Sequence, residues 1–102
     1  MIAPQLKTEF VFLRNEGVRN LIFDMGQVDY VDSSGLSSIL TANRIWKDFG
    51  SFVMTNVNSE SVQKLIEISK LDGILTIVPT LEESIEYVFM EDLERDLVDE
   101  EE

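Results

Sequence analysis

The chain contains no histidine and no cysteine. Without them, neither a Ser-His-Asp nor a Cys-His arrangement can be assembled within one chain. Disulfides and thiol chemistry are excluded, and a zinc site lacks its usual ligands. Carboxylates can still hold magnesium. The remaining enzyme reading rests on two spaced carboxylates, Asp24 and Asp32, so the expectation is a protein that is not an enzyme and needs no cofactor or metal. Positive charge is also scarce, with 8 basic residues against 20 acidic ones and a net charge of −12. Nonspecific nucleic-acid binding requires cations that displace counterions from phosphates, so no direct nucleic-acid partner is expected. No apolar run approaches the roughly 18 residues of a membrane-spanning helix. No charged start followed by an apolar stretch marks a signal peptide. A cytoplasmic location is the expectation.

What is present suits one domain. The chain has 102 residues, 44% of them hydrophobic, enough for a single core. Much of the acidic excess lies in "MEDLERDLVDEEE", from Met90 to Glu102. Residues 97–102 read as a solvated acidic tail and residues 1–96 as the domain. Helical patterns alternate with short apolar runs. "APQLKTEFVFLRNEG" reads as a helix with Pro4 in its first turn and Gly17 as terminator. "NLIFDM" is a strand whose Leu21-Ile22-Phe23 run suits burial on both faces. A helix is expected from about Ser34 to Lys47, with Leu36, Ile39, Leu40 and Trp46 near one face and Gly50 just past its end. "SFVMTN" reads as a second strand. Asn58 or Ser59 caps a helix carrying Val62, Leu65, Ile66 and Ile68. "ILTIVP" reads as a third strand. Thr80 and Glu83 match a capping box before a helix with Leu81, Ile85, Val88 and Phe89 on one face. Strands joined through helices imply parallel pairing with right-handed crossovers. The expected class is α/β, a small, mostly parallel sheet covered by about four helices.

The most informative stretch is "VDYVDSSGLSSIL", Val28 to Leu40. Asp and Ser are favoured N-caps because their oxygens accept otherwise unpaired amide hydrogens, and an aspartate complements the positive end of the helix dipole. Capping alone would account for Asp32-Ser33-Ser34, with Gly35 letting the first turn approach another surface. The same geometry also suits a modification switch. A hydroxyl at a helix start is exposed and rigidly presented. A phosphate there adds about −1.5 to −2 charges where anions are tolerated, and so alters the surface a partner meets. Residue types leave both readings open.

"LIFDMGQVDYVDSSGLSSIL" resembles the signature of the STAS domain, as found in bacterial anti-sigma factor antagonists. In that pattern a strand ending in Asp leads through a short connection to D-S-S-G-L at a helix start, here Asp24 and then Asp32, Ser33, Ser34, Gly35 and Leu36. The similarity runs on through Gly50, "FVMTNVN", "VQKLIEISKLDGIL" and "TLEESIEYV", covering about Ala3 to Val88. The resemblance implies partner switching. The unphosphorylated protein binds an anti-sigma factor that is also a serine kinase, and phosphorylation of Ser33 releases it. A metal-dependent serine/threonine phosphatase restores binding. ATP belongs to the kinase. Asp32 would support the site electrostatically, and Ser34 would cap the helix or contact the kinase. The exposed side of that helix, with Ser37, Ser38, Thr41 and Arg44, is either the docking face or a plain solvated face. Asp24 reads as a strand-end residue that ties down the following loop.

The resemblance also allows a STAS domain that serves only as a scaffold, in a stressosome-like assembly or beside a lipid-transport ATPase, without phosphorylation. STAS domains usually open with one or two strands before the first helix, and the resemblance here begins at that helix. Three strands are therefore expected, about 20–24, 51–56 and 74–78. A sheet edge left open invites pairing, so either a shortened version of a longer product or a homodimer through that edge is expected.

Overall fold

The computed structural model describes residues 6–101. Four α-helices and three strands follow in the order α1 (Leu6–Asn15), β1 (Asn20–Asp24), α2 (Ser33–Lys47), β2 (Ser51–Thr55), α3 (Glu60–Ile68), β3 (Thr76–Val78) and α4 (Leu81–Glu101), with one 3₁₀ turn at Leu71–Gly73. The sheet order is β1-β2-β3. Both pairings are parallel, with Asn20 opposite Ser51, Asp24 opposite Thr55, and Val53 opposite Thr76. This is the expected α/β architecture. Pro4 lies outside the described residues.

β2 occupies the centre, and all five of its residues are buried. Alternation along a strand sends successive side chains to opposite faces. Phe52 and Met54 join a core with Phe10, Ile39, Ala42, Trp46, Val62, Ile66, Leu71 and Leu75, against which Leu21, Phe23 and Ile77 also pack. Phe10 sits among aromatic rings, edge-on to Phe23 at 5.6 Å, Phe52 at 5.8 Å and Trp46 at 6.2 Å between centroids. Such offset geometry is the favoured one for ring pairs. Trp46 is fully buried, as its stripe position implied, and its indole Nε1–H donates to the Val18 carbonyl at 3.1 Å. The opposite face of the sheet presents Ser51, Val53 and Thr55 toward α4, where Arg95 donates to Ser51 Oγ at 3.3 Å.

Gly50 acts differently from a left-handed helix terminator. Its amide donates to the Trp46 carbonyl at 2.8 Å, and a Cβ at this position would collide with the Arg19 carbonyl oxygen. The Ser51 amide also reaches that carbonyl, at 3.2 Å. Glycine is therefore needed for the close approach that brings β2 beside β1.

Several boundaries differ from expectation, each for a local reason. α2 begins at Ser33 because Asp32 is its N-cap. β2 ends one residue early because Asn56 turns into the left-handed region, at φ 56°. β3 starts at Thr76 rather than Ile74. Lys70 is left-handed at φ 58°, and the amides of Ile74 and Leu75 are both taken by the Leu71 carbonyl, at 3.0 and 2.8 Å. Neither amide is left for the ladder, and Ile74 points to solvent. In α3, Ser59 is the cap, and Ile68 is exposed, off the face formed by Val62 and Ile66. Residues 97–101, read from sequence as the start of a solvated tail, continue α4 as helix, with no glycine or proline to break it.

The largest correction concerns which side of α4 faces inward. Val88 is half-buried, but Leu81, Ile85 and Phe89 are exposed. The inward side is polar. Ser84 is fully buried, with its hydroxyl donating to the Thr80 carbonyl at 2.8 Å. Asp92 accepts from Asn20 Nδ2 at 2.8 Å and from Arg95 at 2.7 Å. The capping box is seen in one half, with the Glu83 amide donating to Thr80 Oγ1 at 3.1 Å.

Two substitutions test this packing by urea unfolding. Trp46→Ala is expected to lower stability by about 3–5 kcal/mol through lost burial and the cavity left behind. Gly50→Ala is expected to cost at least about 1–3 kcal/mol by forcing β1 and β2 apart.

Candidate functional site

The connection from β1 to α2 is held at every turn. Asp24 Oδ1 accepts from the Gly26 amide at 2.9 Å and from Asn56 Nδ2 at 3.2 Å, so it ties the loop to the end of β2, as its strand-end position suggested. Met25 is buried, and its amide extends the sheet by donating to the Thr55 carbonyl at 2.8 Å. The Val28 amide closes a turn onto the Met25 carbonyl at 3.0 Å. The Ser59 hydroxyl donates to the Asp29 carbonyl at 2.8 Å, pinning the loop to the start of α3. Val31 then inserts into the core. The segment delivers Asp32 in a fixed place.

Asp32 has extended backbone, φ −88° and ψ 179°, and its Oδ1 accepts from the Gly35 amide at 2.7 Å. Its carbonyl receives the Leu36 amide at 2.9 Å. That capping leaves Ser33 and Ser34 in the first turn of α2 with exposed side chains. Ser34 is thus not the cap. Gly35 is buried beneath them.

Further along α2 the docking face predicted from sequence is revised. Ser37 and Arg44 are exposed and Thr41 is half-buried, its hydroxyl donating to the Ser37 carbonyl at 2.9 Å. Ser38 does not belong with them. It is 7% exposed, and its hydroxyl donates back to the Ser34 carbonyl at 3.1 Å. Ser38 follows Gly35 by three residues and precedes Ala42 by four, which places it on the inward stripe. The outward stripe is Ser34, Ser37, Thr41 and Arg44, spaced by three, four and three. That spacing was readable in the sequence. Tyr30, two residues before the cap, is 51% exposed beside buried Val31 and was not singled out from sequence. Its alternation with Val31 is the signal that could have found it.

The opposite end of β2 holds a cleft of about 420 Å³ lined by Lys47, Ser51, Thr76, Tyr87 and Glu91 among others. Its Tyr87 hydroxyl donates to Glu91 at 2.8 Å. That bond and partial burial hold the Tyr87 phenol above its ordinary value of 10.0, while the neighbouring Thr76 opposes the shift. The cleft does not adjoin Ser33. Among the described residues, no group of three acidic side chains converges as a metal site, and no helix is long and apolar enough to cross a membrane.

The family model of the STAS domain matches residues 2–84, a span holding all three strands and the whole Asp32–Gly35 turn. The chain belongs to the STAS domain family. It is 32% identical over 78 residues to the candidate anti-sigma factor antagonist BtrV of Bordetella bronchiseptica, a match covering 76% of this chain and 64% of that protein. The STAS chain thus spans under two thirds of that curated relative's length. The crystal structure of a candidate anti-sigma factor antagonist from Thermotoga maritima superposes with a TM-score of 0.73 at 22% identity, over 82% of this chain and 75% of the other. The NMR structure of that protein, TM1081, gives 0.71 at 26% identity, over 81% and 66%. These likenesses agree with the parallel sheet and its helices.

Removing the cap should cost measurable stability. Asp32→Ala is expected to lower the unfolding free energy by about 0.5–2 kcal/mol, and Asp32→Asn, which keeps an acceptor, by less. Urea unfolding of both variants checks this.

Proposed function

We propose that this STAS chain is an anti-sigma factor antagonist acting in the cytoplasm by partner switching. In its unphosphorylated form it binds an anti-sigma factor that is also a serine kinase. Phosphorylation of Ser33 releases it, and a metal-dependent serine/threonine phosphatase resets the cycle. The observation that carries the reading is the exposed Ser33 directly after the Asp32 cap, within the D-S-S-G-L pattern. The printed descriptions of the Bordetella and Thermotoga relatives support the antagonist part of it.

The chemistry suits the place. A serine hydroxyl on a flexible loop must be ordered by the kinase, at an entropy cost. Ser33 is already ordered by the helix and the pinned loop before it. Transfer exchanges the Oγ–H bond for an Oγ–P bond, with ADP leaving and the proton passing to a base of the kinase. No cofactor of this chain takes part. The phosphate would sit over free first-turn amides, where the helix dipole favours negative charge, so the domain stays folded. The added charge of about −1.5 to −2 instead lands beside the Asp32 carboxylate on the stripe Ser34, Ser37, Thr41 and Arg44. A partner site shaped for two neutral hydroxyls then meets a dianion it must desolvate, and affinity falls. Arg44 is the one cation on that stripe and supplies the contact for a partner carboxylate.

β1 pairs with β2 alone among the described residues, so its outer edge offers unpaired backbone groups. Homodimerisation through this edge belongs to the same proposal.

Incubation with the cognate kinase and ATP, followed by phosphosite mapping, tests the switch. Stoichiometric phosphate on Ser33 is expected, Ser33→Ala should stay unmodified while binding the partner, and Ser33→Asp should bind more weakly. Phosphate on Ser34 alone, or none with a proven cognate kinase, would leave a scaffold role and overturn the assignment. For the edge, light scattering at several concentrations should show a dimer, and a monomer throughout would remove that part.

A further inference from the structure

α4 turns its apolar side to solvent. Ile85, Phe89, Leu93 and Leu97 recur every fourth residue, and all are exposed, Phe89 at 61% and Leu97 at 59%. Residues four apart lie above one another on a helix, so the four form one ridge about 18 Å long. The neighbouring row is Glu82, Glu86, Met90 and Glu94, also exposed. From Leu81 to Leu97 the helix carries seven carboxylates and one base, Arg95.

The ridge cannot be explained as a helix free to roll inward. Its other side is committed to polar contacts with the sheet. Asp92 bridges Asn20 and Arg95, Arg95 reaches Ser51, and Ser84 is fully buried. Rotating α4 to hide Phe89 would break these bonds and strand buried polar groups.

Charge decides what can cover the ridge. A second copy would set these carboxylates against their own kind, on chains of net charge −12, and like charges across an interface are costly. A membrane surface is disfavoured for the same reason, because interfacial helices carry Lys and Arg on the polar side and approach anionic lipid. Nucleic acid is repelled outright. An occupant that both fills the apolar ridge and neutralises its flanks is a cationic amphipathic segment of a partner protein.

We propose that the outer face of α4 is a second docking surface, distinct from the Ser33 region, which takes a basic amphipathic helix from a partner. The partner's apolar side chains sit on Ile85, Phe89, Leu93 and Leu97, and its Lys or Arg flanks pair with Glu82, Glu86 and Glu94. Because the surface lies on a different helix from Ser33, its occupancy does not depend on the phosphorylation switch.

The probe is a synthetic helical peptide with leucines at four-residue spacing and flanking lysines, compared with a scrambled peptide of identical composition. Titration calorimetry with the full chain should give affinity for the helical peptide at least about tenfold above the scrambled one. Phe89→Ser/Leu93→Ser should weaken it by at least about tenfold, the scale of a lost interface anchor, and Ile85→Ser should act in the same direction. Both sets alter exposed side chains, and circular dichroism confirms the fold. Ser33→Ala should bind the peptide as the parent does. Equal affinity for the scrambled peptide, or unchanged binding by the double variant, would overturn the proposal. So would a dimer that dissociates on Phe89→Ser/Leu93→Ser, which would make a second copy the occupant. Co-flotation with phosphatidylglycerol vesicles abolished by the same substitutions would do so by assigning the ridge to lipid.

Discussion

Everything in this domain hangs on the central strand Ser51–Thr55, buried along its whole length. Its alternation divides the molecule in two. Phe52 and Met54 point into the aromatic and aliphatic core under α1, α2 and α3, while Ser51, Val53 and Thr55 point to α4. The strand also sets the rest of the chain in register. Its start forces the contact between Gly50 and Arg19 that only glycine permits. Its end supplies the Thr55 carbonyl that receives Met25 and the neighbouring Asn56 that holds Asp24.

That second role links packing to the candidate switch. The loop between β1 and α2 is anchored through Asp24, Met25, Asp29 and Val31, so the first turn of α2 is presented by a stiff support. Because Asp32 does the capping, the two serines after it are spared that duty and remain exposed. Where a cap hydroxyl would be occupied by an amide, the Ser33 side chain is left exposed. A site that reacts with a partner enzyme benefits from such order, since less entropy is lost on docking.

The opposite side of the sheet follows a different logic. Small and polar residues on β2 offer α4 little apolar surface to bury against, so α4 attaches through hydrogen bonds to Asn20 and Ser51 and through ion pairs of Arg19 with Asp92 and Asp96, both at 4.0 Å. Its larger apolar residues are then left outward. The strong negative charge of the chain narrows what can meet them, and it separates the two surfaces in character: α2 offers hydroxyls and an arginine, whereas α4 offers apolar groups among carboxylates.

Much of this was legible in the residues alone. The absence of histidine and cysteine, the alternation of apolar runs with helical stripes, a cap within Asp32-Ser33-Ser34, another at Asn58 or Ser59, the cap at Thr80, the loop tie of Asp24 and the burial of Trp46 all follow from rules acting within a few residues or from residue chemistry. The folded chain then chose Asp32 and Ser59. The Asp-Ser-Ser-Gly-Leu turn carried the family. Other features needed the folded chain. Ser38 looked equivalent to Ser37 until the inward stripe of α2 was placed. The start of β3 depended on the Leu71 carbonyl capturing two amides. Above all, Leu81, Ile85 and Phe89 matched a buried stripe by period, yet face water. Periodicity reports that a helix has two unlike sides. Which side turns inward depends on what the opposing sheet face offers, and here Ser51 and Asn20 take polar partners on α4.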